Sequence, residues 1–203
     1  MSDSLITKKA IAASIKDLMK KRPLQKISVA DIVEHCGINR QTFYYHFKDK
    51  YDLVDWIYYN EVVSAVTQNR TFEEWSSVAL DVLNTMKKEQ YFYSNALCVT
   101  GQNAFQDYFF NVTKDLIGEM LGIISQGNRL DEEDRAFIAE FYSYGLVGMV
   151  IQWARCGMKQ PPEQIVQRLT HFVDDSKLYA AERYFKEHPI KKADEQANMT
   201  ESN

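Results

Sequence analysis

The sequence predicts an all-α protein of about nine helices: a short basic unit ahead of a larger helical body. Three observations carry this. Only 8 Gly and 4 Pro occur in 203 residues, too few turn formers for a many-stranded fold. Apolar residues recur three, four and seven apart, and no segment alternates convincingly between apolar and polar. At 45% apolar and 26% charged residues, the chain can bury a sizeable core and is not compositionally disordered.

The first helical pattern runs from about Thr7 to Lys21, with Ile11, Ile15, Leu18 and Met19 on one face. Pro23 cannot continue it. A second helix starts at Ser28, whose hydroxyl can cap free N–H groups, with Asp31 favourable to the helix dipole three residues on. Gly37 stands where a left-handed residue ends that helix, Ile38 drops into the core, and Asn39 and Arg40 open a third. A fourth helix from about Asp49 to Gln68 carries Leu53, Ile57 and Val62 or Val63 and bridges the two units as the transmission element. Thr71 and Glu74 have capping-box spacing for a fifth, ending near Lys88. Further helices are expected at Tyr91–Leu97 and Phe105–Ile124. Gly127 and Asn128 break the pattern before a long helix from Asp131 to Cys156, closed near Gly157. Pro161 and Pro162 suit the first turn of a last helix reaching about Lys186. The expected division is 1–50 for the basic unit, 51–188 for the body and 189–203 for a polar tail.

Several classes drop out. The longest mostly apolar stretch, Tyr144 to Ala154, contains Gln152 and is too short to cross a bilayer, so no membrane span is expected. The N-terminus lacks the order of a signal peptide, which points to the cytoplasm. Cys36, Cys98 and Cys156 form no CxxC pair and no metal-ligand spacing to the four histidines. No metal or cofactor is expected. The phosphate loop, nucleophile elbow, H-E-x-x-H pair and spaced catalytic dyad of enzymes are missing.

Charge is distributed unevenly. Residues 1–50 hold 10 Lys/Arg against 5 Asp/Glu, and the remainder 14 against 23, so one end alone is suited to a polyanion. Within that end, residues 27–53 read as a helix-turn-helix. Phe43 and Phe47, four apart, mark the buried stripe of its second helix; Gln41, Tyr45 and Lys48 point the other way, Thr42 and Tyr44 flank them, and Arg40 sits in the first turn. Arg can bond guanine and Gln adenine through two hydrogen bonds, whereas Thr, Tyr, His and Lys commonly hold phosphates. Arg40 and Gln41 are therefore the specificity candidates. Packing against the first helix is the alternative for Tyr44 and Tyr45, and packing competes with phosphate contact for His46. A helical interaction module without sequence-specific DNA binding is the rival reading of the whole unit.

The run from Gly37 to Lys50, with Thr42, Phe43, Tyr44, Phe47 and Lys50 in register, resembles the DNA-binding domain of TetR-family transcription regulators. The resemblance implies a double-stranded operator as partner, Arg40, Gln41, Tyr44 and Tyr45 at bases or backbone, and Ser28, Thr42, His46, Lys48 and Lys50 on phosphates. It also implies a homodimer joined through the last two helices. Gly145, Gly148 and Ala154 would let the eighth helix approach its mate, Ile165, Val166, Leu169 and Phe172 give the ninth an apolar face, and Trp153 before Gly157 and the two prolines resembles a Firmicute-type C-terminal domain of the family. The segments SLITKKAIAASIKDLM, ISVADI, RQTFYYHF and DLVDWIYYNE resemble the DhaS subgroup, activators of dihydroxyacetone kinase genes. Such regulators answer to a protein co-activator that resembles a kinase subunit and holds dihydroxyacetone.

A small-molecule effector is the alternative. Residues 89–153 hold 12 of the 26 aromatic residues, which permits an aromatic-lined pocket from Tyr91, Phe92, Tyr108, Phe109 and Phe141, with Asn95 among the polar residues that could orient a ligand. An ordinary helical core uses the same residues.

Overall fold

A computed structural model of the chain describes residues 3–64, 75–99, 105–124 and 131–187. The described residues form nine α-helices and no strand: α1 Asp3–Met19, α2 Val29–Cys36, α3 Arg40–His46, α4 Lys50–Tyr58, α5 Trp75–Lys88, α6 Gln90–Leu97, α7 Phe105–Ile124, α8 Glu132–Arg155 and α9 Pro162–Glu187. The all-α expectation holds. The Thr71/Glu74 cap, Gly127, Asn128 and the 189–203 tail lie outside the described residues.

Local chemistry sets the boundaries in the N-terminal unit. Ser28 and Asp31 form a full capping box at α2: Asp31 N–H donates to Ser28 Oγ at 3.2 Å and Ser28 N–H to Asp31 Oδ2 at 2.7 Å, satisfying two of the donors a helix start leaves open. Arg22 adds an ion pair to Asp31 at 2.9 Å. These bonds to Ser28, then the Arg22 charge, pull the carboxyl down to about 2. Gly37, at φ +72°, ends α2, and Ile38 N–H donates to Val33 O at 3.0 Å. Only a residue without Cβ takes that left-handed turn without strain. Asn39 Oδ1 then accepts from Thr42 N–H at 2.7 Å to open α3, and Asp49 accepts from Tyr51 and Asp52 N–H to open α4.

Two features depart from the simple helical pattern. Leu24–Lys26 forms a 3₁₀ turn between α1 and α2, burying Leu24. After α4, Tyr59–Val63 forms a π turn. Val62 and Val63 within it are both buried.

One hydrophobic core runs from α1 into the body. Ile11, Ile15, Ile32, Phe43 and Leu53 fill the N-terminal unit; Ile57, Tyr58, Phe92, Tyr93, Phe105 and Phe109 continue it under α6 and α7. The helix pair α7 and α8 makes the most extensive contact, and α5 lies against α9.

Candidate nucleic-acid interface

Phe43 anchors α3. It is fully buried, with ring centroids 5.9 Å from Phe47 and 5.5 Å from Tyr44. Phe47 meets Trp56 of α4 edge-on at 5.7 Å, and the Lys8 ammonium lies 5.5 Å from the Phe47 ring and 5.7 Å from Trp56, within cation–π range. With that stripe fixed inward, the opposite face of α3 turns to solvent. Arg40, Gln41 and Lys48 are exposed, as are Tyr44 at 56% and Tyr45 at 82%. Neither tyrosine is buried. His46 is half-buried, its ring 4.9 Å from that of Tyr45.

The phosphate candidates divide. Lys48 extends from the C-terminal end of α3 with its backbone N–H held by Asp52 Oδ2 at 2.8 Å and its side chain in solvent. The Lys50 ammonium turns inward and donates to Leu24 O at 2.7 Å, Gln25 O at 3.2 Å and Ile27 O at 2.7 Å. All three N–H donors are thus committed to backbone carbonyls, and burial lowers its pKa. Ser28 and Thr42 likewise spend their hydroxyl protons locally, on Asp31 Oδ2 at 2.7 Å and Asn39 Oδ1 at 3.0 Å.

The six pocket candidates stand in different environments. Tyr91 and Phe141 are exposed, whereas Phe92 and Phe109 are core. Tyr58, Tyr93, Phe105 and Phe109 pack on one another with centroids 5.3–6.4 Å apart, and Tyr108 closes on Tyr58 at 6.2 Å. Asn95 is engaged with the N-terminal unit: its Oδ1 accepts from Leu24 N–H at 2.8 Å, and its Nδ2 donates to Met19 O at 3.3 Å and Arg22 O at 3.1 Å. No spacing in the sequence signals that tie.

In the body, α8 exposes Phe137 (69%), Phe141 (63%), Tyr144 (64%) and Met149, with the Tyr144 ring 4.6 Å from that of Phe110. Gly145 and Gly148 lie on α8 too, and a Cβ at either would meet nothing within 4 Å. Phe172 of α9 is exposed beside Tyr142, and Ile165 and Leu169 are half-buried. Trp153 departs from the sequence reading. It is buried within the chain, and its Nε1 donates to Gln160 O at 2.9 Å, fixing the turn before α9.

Family models place this arrangement. One described as bacterial regulatory proteins, tetR family, matches residues 11–57, and a TetR C-terminal model, described as transcriptional regulator C-terminal region, matches residues 73–175. The chain belongs to the TetR family of bacterial transcription regulators. It is 31% identical over 121 residues to the HTH-type dhaKLM operon transcriptional activator DhaS of Lactococcus lactis subsp. lactis (strain IL1403). That alignment takes in 60% of this chain and 64% of the length of the relative. Among solved structures, the dihydroxyacetone kinase operon activator DhaS superposes with a TM-score of 0.66 at 22% identity, over 85% of this chain and 96% of that one. NalD, the secondary repressor of the MexAB-OprM multidrug efflux pump in Pseudomonas aeruginosa, superposes at 0.55 with 18% identity, over 83% and 95%. At these identities the superpositions speak for the fold. Both family models describe transcription regulators, not enzymes, and among the described residues no helix is long and apolar enough to cross a membrane.

Proposed function

We propose that the chain is a cytoplasmic, sequence-specific DNA-binding regulator that acts as a homodimer on a pseudo-palindromic operator. The observation that supports this best is the outward face of α3. Arg40, Gln41, Tyr44 and Tyr45 are exposed on a helix whose inner stripe is locked by Phe43. In this reading residues 1–50 form the DNA-binding unit and 51–188 the dimerisation and regulatory body. Arg40 and Gln41 read base edges, Tyr44 and Tyr45 contact bases or backbone, and Lys48 and His46 hold phosphates. Ser28 and Thr42 bond phosphate only by redirecting the hydroxyl protons that they donate to Asp31 and Asn39. Lys50 supports the unit from inside. Two such helices must sit about one DNA turn, roughly 34–36 Å, apart. The exposed faces of α8 and α9, with Gly145, Gly148, Ile165, Leu169 and Phe172, supply the two-fold contact.

Arg40→Ala is expected to cost on the order of 1–3 kcal/mol on the cognate operator and to relax its sequence preference, whereas Lys48→Ala weakens all DNA alike and lowers the salt slope by about one. Fluorescence anisotropy on operator and scrambled duplexes across salt checks both. Equal effects of the two changes on every DNA would defeat the division of labour.

Control through a protein partner is the better supported regulatory mode. The resemblance to DhaS favours it. Dihydroxyacetone alone should then leave the operator complex unchanged, and a dihydroxyacetone-loaded kinase-like subunit should alter it. A shift in operator affinity with the metabolite alone would favour the alternative, a one-component repressor released by its own ligand. Either mode requires different affinity for two arrangements of the DNA-binding units.

A further inference from the structure

Two side chains from distant parts of the chain hold the turn between α1 and α2. Helix α1 ends at Met19, and the residue four further on, which would donate to Met19 O in a continued helix, is Pro23, which has no N–H. The donor comes instead from the body. Asn95 of α6 donates through Nδ2 to Met19 O and Arg22 O, and its Oδ1 accepts from Leu24 N–H. From the other side Lys50, the first residue of α4, donates to Leu24 O, Gln25 O and Ile27 O. Buried Leu24 is therefore bonded through its N–H to the body and through its C=O to the start of α4. Nearby, Lys16 of α1 bonds Glu61 at 2.6 Å and lies 5.4 Å from the Phe92 ring of α6, which braces the same junction.

We propose that Asn95 is the positioning residue that sets the angle of the DNA-binding unit on the body, through a relay from Asn95 to the 19–27 turn to Lys50. The relay gives α6 a route to α3 that does not run along α4. The amide is the side chain this position requires. It accepts one bond and donates two, whereas a carboxylate of the same size keeps the acceptor and turns both donors into acceptors facing carbonyls. A displacement of α6 by a bound partner is thereby passed to the segment immediately after α3, which is also the segment Lys50 anchors.

The test uses the full-length protein, its Asn95→Asp and Asn95→Ser variants, and Lys50→Met. Backbone amide exchange is read first, since it needs no DNA. Either Asn95 variant should raise exchange about tenfold across residues 20–28 and also raise it across 39–50, with α7 unchanged. Lys50→Met should give the same pattern and add little to Asn95→Asp. A rise confined to 20–28, or full additivity of the two changes, overturns the relay. The second readout rests on the DNA-binding reading. On the site selected by the wild type, inserting one base pair at the centre should weaken the wild type strongly and the Asn95→Asp variant much less. Unchanged spacing discrimination in the variant overturns the positioning role. Should the wild type select no two-fold site, the proposed function fails, and the exchange result still judges the relay.

Discussion

Helices α3 and α8 each expose one face among the described residues, and the two faces differ in chemistry. On α3 the exposed residues are Arg40, Gln41, Tyr44, Tyr45 and, just beyond, Lys48; on α8 they are Phe137, Phe141, Tyr144, Met149 and two glycines. A face of forked donors and phenols suits a hydrated polyanion and should respond to salt. A face of stacked rings, with Phe137 and Phe141 centroids 6.5 Å apart at 20°, suits another apolar face and should respond little to salt. Exposure is common to both; side-chain chemistry separates the partners.

The largest expected effect breaks the apolar face alone. Phe141→Asp should cost the dimer about 3–6 kcal/mol, because a two-fold interface loses a buried phenyl ring twice. Sedimentation equilibrium measures it, and a monomer with unchanged helicity is the expected product. Unaltered association would show that α8 does not form the contact.

Next come two neighbours on α3. Phe43→Ala should destabilise the folded chain by about 3–5 kcal/mol, whereas Tyr44→Ala should stay within about 0.5 kcal/mol in stability and lose operator affinity. Denaturant melts and binding titrations on both variants separate the inner face from the outer one, and similar melts would mean that Tyr44 is structural.

A pH-dependent effect concerns Asp55 of α4. Its Oδ1 is buried with no hydrogen-bond donor among the described residues. Burial, then the charges of Asp52 and Asp49, raise its pKa to about 7. An acid that binds its proton more tightly when folded stabilises the fold while protonated. That contribution is full below the ordinary carboxylate value and is lost as pH rises to about 7. Asp55→Asn should therefore flatten the stability profile across that window and leave the protein more stable than wild type above it. A wild-type profile with no fall across the window would contradict the assignment.

The legible parts of the molecule were those set by short-range chemistry. Ser28, Gly37, Asn39, Asp49 and Asp131 each act within a few residues of their own position, so both ends of α2 and the starts of α3, α4 and α8 follow from the sequence. The α3 face was legible for the same reason, since Phe43 and Phe47 fix its rotation. Contacts across long stretches of chain carry no such signal. Asn95 was read as one of several polar residues near aromatics, and its bonds reach back more than seventy residues to a turn. Lys50 was read by its place in a motif, while three carbonyls of an unforeseen 3₁₀ turn decide where its ammonium points. Trp153 is placed at the dimer face only through the family resemblance of Trp153, Gly157 and the two prolines; the Gln160 carbonyl, within reach only after the chain turns at Gly157, holds it in.

The central claim is that paired α3 helices read a two-fold DNA sequence, and selection from random duplex DNA by the purified full-length protein, at fixed salt with unrelated competitor, tests it most directly. The account predicts enrichment of a pseudo-palindrome with half-sites about one helical turn apart and loss of base preference within each half-site on Arg40→Ala. Salt-sensitive binding that enriches no sequence would contradict it and leave a basic helical module in place of a regulator.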